Sequence, residues 1–286
     1  MRPPVLEAGV VTQTARPAAP GRLARLLPRR DKSRPSRHIA WRLLGYAVFI
    51  AAWQLLSTYV FEPFILPAPS RVLEEMREIV TRGDFWENFF ATTRHLAIGF
   101  TLAYVLGTAV GIAMGRSAFF DGLFRDYVMV TLTTPGLVFA LIALMVFGLT
   151  TTAPIVAIVL TSLPHVTVNV VEGVRAIPRE LTDMAAAYGV GRFVRLRHII
   201  LPAVAPFMFA AVRYGFAIAW KITALTELFG GREGVGVQIR VKYELFNTAG
   251  VLAWAFFLVA LALVTDRLIL QRIERHFFRW RPKAFA

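Results

Sequence analysis

From residue 127 to residue 171 the chain runs for 45 positions without one Asp, Glu, Lys or Arg. That is about twice the roughly 20 apolar residues a helix needs to cross the ~30 Å hydrocarbon core of a bilayer. In lipid every backbone polar group must be satisfied inside the segment, which leaves helices as the economical solution. Two antiparallel spans fit the run, and Thr150, Thr151, Thr152, Ala153 and Pro154 suit the turn between them. Further charge-free runs cover residues 43–61, 96–115 and 245–265, and an apolar stretch at 203–226 is interrupted only by Arg213 and Lys221. The expectation is an all-α integral membrane protein with six transmembrane helices, at about 39–61, 95–115, 127–149, 153–171, 203–226 and 248–266.

Composition narrows the function. The 286 residues are 56% hydrophobic and 17% charged, with a net charge of +14. Such a charge alone would suit a nucleic-acid binder, but the apolar excess argues against one. With the N-terminus inside, residues 1–42, 116–126, 172–202 and 266–286 hold 23 of the 32 Lys and Arg, and the opposite loops, 62–94 and 227–248, hold seven. Short basic loops stay cytoplasmic, so the charge reads as a topology signal that puts both termini inside, with anionic membrane lipid as its partner. The absence of cysteine excludes a disulfide framework, a Cys-ligated metal and thiol chemistry. Residues 1–38, rich in Arg, Pro and Ala, read as a disordered basic cytoplasmic tail, and residues 39–286 as the transmembrane domain. On the outer side, Ser70 followed by Leu73, Met76 and Val80 reads as an N-capped amphipathic helix along the membrane interface.

The loop at 172–202, between the fourth and fifth spans, is the most informative. Pro178, Arg179, Glu180 and Leu181 lead into Asp183, Met184 and Ala185. Three residues follow to Gly189, nine more to Ile199, and then Leu201 and Pro202. Gly189 suits the left-handed residue that ends a helix, and Pro202 suits the opening of the next. The expectation is helix, turn, short basic helix with Arg192, Arg195 and Arg197, then re-entry into the membrane. No nucleophile is paired with a base there, so the loop reads as a docking surface rather than a catalytic site.

This spacing resembles the EAA loop of permease subunits of bacterial ATP-binding-cassette importers, E-A-A-x3-G-x9-I-x-L-P. Asp183 stands where Glu is usual and Met184 where Ala is usual. The run Leu66, Pro67, Ala68, Pro69, Ser70, the pair Trp220 and Glu227, the turn Gly234, Val235, Gly236 and the closing run from Glu274 to Trp280 are similar to the nitrate, sulfonate and taurine branch. The resemblance implies a type I ABC importer permease fold in the bacterial cytoplasmic (inner) membrane. It implies a second permease copy, most simply a homodimer, with two ATPase subunits and an extracytoplasmic solute-binding protein. The solute would be a small anion such as a sulfonate, taurine or nitrate, or alternatively a neutral or aromatic molecule.

ATP and Mg would be bound by the ATPase partner, since no G-x-x-x-x-G-K-[ST] phosphate loop occurs here. Asp183, Met184, Ala185, Ala186, Gly189, Arg192, Arg195, Ile199, Leu201 and Pro202 would form the ATPase-coupling surface. The alternative for the arginines is that they are only retention charges after a membrane span.

Charges inside a span cost at least ~2.5 kcal/mol on insertion scales, so Arg213 and Lys221 need a reason to be there. Arg213 can snorkel to the interface, while Lys221 can pair with Glu227 or line a wet cavity that attracts an anion. The interruption at Pro135 and Gly136 makes Thr133, Thr134 and Phe139 candidates for the solute path, or simply the flanks of a kink. Trp220 and Glu227 join them as path candidates. Gly107, Gly111 and Gly115 recur every four residues, a stripe for close helix packing. His38, His95, His165, His198 and His276 show no metal-ligand spacing, and no metal site is expected. Two rivals remain: an intramembrane hydrolase built on Ser162 and His165, and an ion-coupled carrier working without ATP, which the lack of carboxylates in the third and fourth spans disfavours.

Overall fold

The computed structural model describes residues 35–270 and 272. The basic tail up to residue 34 and the closing Glu274-to-Trp280 run therefore lie outside the described residues. The chain divides into two compact units, residues 1–49 and 50–286. Helix α1 (Pro35–Tyr59) carries the apolar stretch 39–59, in which Ser57 alone is buried. It begins at Pro35, inside the segment read as a disordered tail.

In the second unit, α2 (Pro69–Arg82) is followed by the long α3 (Asp84–Arg116), about 50 Å at 1.5 Å per residue. Then come α4 (Ala118–Thr133), α5 (Gly136–Phe147) and α6 (Thr152–Arg175). After them lie α7 (Arg179–Ala187), α8 (Arg192–Arg195) and α9 (Leu201–Gly230). Helices α10 (Val235–Glu244) and α11 (Thr248–Val264) complete the unit, and α11 runs on as a π-helical turn, Thr265–Leu270. Among the described residues no strand occurs. Among the described residues five helices are long and apolar enough to cross a membrane, and α4 with α5 makes a sixth if the pair counts as one broken span.

Helix α6 is the centre, with 56% of its most apolar stretch buried, against 28% for α3 and 17% for the α9 region. Small and β-branched residues make this possible. On one side the glycine stripe of α3 lets the backbones meet: a Cβ on Gly107 would stand 2.8 Å from the Leu163 carbonyl oxygen, and one on Gly111 2.8 Å from that of Thr167. Gly115 lies equally close to Val174. Thr167 Oγ1 donates to the Gly107 carbonyl, so a polar bond crosses the same seam. The stripe thus packs within the chain. On the other side Gly173 of α6 receives Phe207 of α9, and Gly215 of α9 receives Val166 and Phe100.

Three expectations change. The third span is not one helix over 127–149, because α4 and α5 meet at 99° across Thr134 and Pro135. Pro135 has no amide to continue the ladder, and Thr134 before it is extended (ψ 128°). Helix α2 is not capped by Ser70. Pro69 opens it, and its inner face is Val72, Met76 and Ile79, leaving Leu73 and Val80 exposed. Finally, Pro202 stands in the first turn of α9 as expected, but no break separates α9 from the basic helix before it. Residues 192–230 run as one helical stretch, with a π turn at Leu196–Ile200 whose wider register carries the ladder past the missing amide.

Candidate functional site

Three places could do work. The first is the segment between α6 and α9. Helix α7 ends in a Schellman closure: Val190 N donates to Ala185 O (2.9 Å) and Gly189 N to Ala186 O (3.0 Å), with Gly189 at φ +68°. A Cβ at Gly189 would meet nothing within 4 Å, so this glycine is needed for its backbone conformation and not for close approach. Ala185 is buried within the chain, whereas Asp183, Met184, Ala186, Gly189 and Arg192 face outward. Arg195 and Ile199 are half-buried, and Leu201 and Pro202 are exposed. Sequence reasoning missed Tyr188 and Phe193, 83% and 72% exposed on either side of the turn. The available signal was two aromatic rings in a basic loop that has no core of its own.

The second place is the pair of basic residues on α9, which both face α11. Arg213 Nε lies 3.9 Å from Asp266 Oδ1, a partner the sequence reading overlooked. Lys221 sits exposed in a groove of about 450 Å³ walled by Trp220, Leu225 and Leu228 of α9, Ile239 of α10 and Leu258 and Ala262 of α11. Thr133, Thr134 and Phe139 flank the α4–α5 bend and do not line this groove, so they stand apart from Lys221 and Trp220.

The third place is a closed polar cluster. Glu227 does not pair with Lys221, and it is walled in, with no exposed surface. One carboxylate oxygen accepts from Thr92 Oγ1 (2.8 Å) and the Gly236 amide (3.0 Å), while the other meets His95 Nδ1 at 3.0 Å. The adjoining amides of α10 are held as well, Gly234 N by Asn88 Oδ1 and Val235 N by Thr92 Oγ1. Gly234 takes φ +118°, and a Cβ there would stand 2.4 Å from the Glu227 carboxylate. The glycine turn therefore exists to let α10's first amides close on a buried acid, where the positive end of the helix dipole favours it. Just beside it, Arg94 pairs with Glu233.

Chemistry of the enzymatic kind is not assembled. His165 Nδ1 bonds the Thr161 carbonyl, and Ser162 Oγ is buried with no hydrogen-bond partner, so the two do not form a nucleophile and base. Among the described residues no His, Asp and Glu cluster fit for a metal occurs. What the structure offers is a helical membrane protein with one exposed handle and one rigid, polar-locked end.

That class has a family. A model described as the binding-protein-dependent transport system inner membrane component matches residues 99–277, and the chain belongs to this family of ABC importer permeases. Among curated relatives, a bicarbonate transport system permease of Synechococcus elongatus is 29% identical, covering 84% of this chain and 94% of its own. A taurine transport system permease of Escherichia coli is 25% identical (86% and 91%), and a riboflavin transport system permease of Chloroflexus aurantiacus 29% (86% and 94%). A chain from an inward-facing methionine ABC transporter structure shares the fold at TM-score 0.53 and 19% identity, covering 71% of this chain and 98% of that one. The chain is thus a transport subunit rather than an enzyme, working with an ATPase and a solute-binding protein.

Proposed function

We propose that this chain is one of two identical permeases in the inner membrane, with both termini cytoplasmic, and that the segment from Asp183 to Pro202 takes the stroke of two ATPase subunits, which bind the ATP and Mg. The observation that carries this is the handle itself, a helix closed by its own backbone at Gly189 that leaves Met184, Tyr188, Arg192 and Phe193 exposed. Buried aromatic and Arg side chains are the usual anchors of an interface, and here they stand ready beside small Ala186. Closure of the ATPase pair would pull this handle and tip α9 between inward- and outward-facing states, a two-state switch biased by ATP.

The solute read from the site is a small anion. Lys221, exposed in an apolar groove beside Trp220, offers one positive charge and an aromatic wall, and relatives named for bicarbonate and taurine agree in kind. Thr133, Thr134 and Phe139 would line the path at the α4–α5 bend. An aromatic solute is the second reading, favoured by the largely apolar groove and by the relative named for riboflavin. The test is uptake in vesicles holding the complete importer. ATP-driven uptake of taurine or an alkanesulfonate that falls at least tenfold in Lys221→Met supports the anion. Unchanged uptake in that variant, or uptake driven by an ion gradient with no ATPase present, rejects it.

A further inference from the structure

A second cavity lies far from Lys221, at the opposite end of α9 from Glu227. It measures about 780 Å³, within the range of small-molecule sites, and opens between the ends of α3 and α6, the handle and the start of α9. Ile112, Val174, Val204 and Met208 make its walls apolar, while Arg116 and Arg175 bring guanidiniums to it. Thr182 of α7 and Leu196 and Ile200 of the π turn close it from the handle side.

The two arginines differ. Arg175 is committed to Asp121, which it meets at 2.7 Å and which also holds Arg125 at 2.5 Å. Arg116 makes no ion pair among the described residues. It is also the last residue of α3, and Arg175 the last of α6, both helices of membrane-crossing length. Two helices that stop there bring these guanidiniums to the depth of lipid headgroups, with apolar walls running back toward the acyl chains. A free cation at headgroup depth above an apolar cleft complements an anionic phospholipid.

The geometry points to an anionic-lipid site: a phosphatidylglycerol-like phosphate bound by Arg116, its upper chains in the cavity, bracing the handle against the membrane core. This deepens the coupling role proposed for the handle and rests on that end being cytoplasmic. An occupied cavity holds Thr182 and the π turn against α3 and α6, so a pull on the handle moves α9. An empty one lets the handle yield.

The experiment is native mass spectrometry of the full-length protein released from mixed phosphatidylglycerol and phosphatidylcholine micelles. Wild type retains phosphatidylglycerol. Arg116→Gln retains it roughly fivefold less, as loss of about 1 kcal/mol per basic residue at an anionic surface implies. Arg116→Lys and the remote control Arg71→Gln retain it as wild type does. Equal retention by Arg116→Gln and wild type, or equal loss in Arg71→Gln, overturns the site. Protection of the wild type against heat by millimolar inorganic phosphate as strong as by phosphatidylglycerol also overturns it, in favour of a free-anion pocket. The chain has no cysteine, so a single Ser117→Cys labelled from one side of sealed vesicles checks the orientation separately. Labelling from outside defeats the topology reading whatever the lipid result.

Discussion

The two ends of α9 are built on opposite plans. At the Gly230 end, Thr226, Glu227 and Gly230 are buried, and a carboxylate gathers a threonine, a histidine and the amides of a second helix. At the Leu201 end, the helix passes through a π turn, leaves a cavity against α3 and α6, and continues into a handle whose largest side chains face away from the chain. One end is closed by buried polar bonds; the other is exposed, and in the function proposed above it is the end that moves. A rigid lever anchored at one end transmits a push applied at the other, and regions that move are drawn from the loosely packed part of a fold.

The contrast can be broken most severely at the anchored end. Gly234→Val places a Cβ in contact with the Glu227 carboxylate on a left-handed backbone, and the variant is expected to lose nearly all monodisperse protein on detergent extraction. Glu227→Ala leaves Thr92, His95 and the Gly236 amide without their acceptor, a loss of about 3 kcal/mol, seen as a clear drop in thermal midpoint. Glu227→Gln keeps an acceptor and should lose less. A thermal midpoint for Glu227→Ala within error of wild type would show that the cluster is no anchor.

At the handle the balance of effects reverses. Gly189→Ala puts a side chain on a φ of +68° and costs about 1 kcal/mol locally, so the thermal midpoint barely moves while transport-coupled ATPase activity falls severalfold. Tyr188→Ala and Phe193→Ala change fold stability least, within about 0.5 kcal/mol for exposed positions. Their effect appears in co-purification with the ATPase, weakened roughly tenfold each if the rings are interface anchors. Should they lower the midpoint as Glu227→Ala does, the handle belongs to the fold and the two ends are not different in kind.

Legibility followed distance along the chain. The handle was visible because its elements are local: Gly189 ends a helix nine residues long and the basic run follows directly. The glycine stripe at 107, 111 and 115 was visible for the same reason, though only the packed chain shows that α6 receives it. The face of α2 was misread because Ser70 looked like a cap, whereas the helix starts two positions earlier, at Pro69 with Ala68 as its N-cap, and buries the stripe Val72, Met76, Ile79. Of the two readings of Lys221, the pairing with Glu227 is not made. Lys221 is six positions away, while the partners of Glu227, Thr92 and His95, are 135 and 132 positions away.

The sequence by itself determined that the chain crosses a membrane as helices, where most of them run, and that a basic loop between two of them carries the spacing of the permease family. These follow from hydropathy, charge and spacing, which act over one or two helical turns. Only the tertiary structure decided the partners of the buried charges, the 99° bend between α4 and α5, the face on which Lys221 lies and the cavity beneath the handle. Those depend on which helices meet and at what rotation, and that is settled by close packing among residues far apart in the chain, where a single glycine or proline changes which surfaces fit.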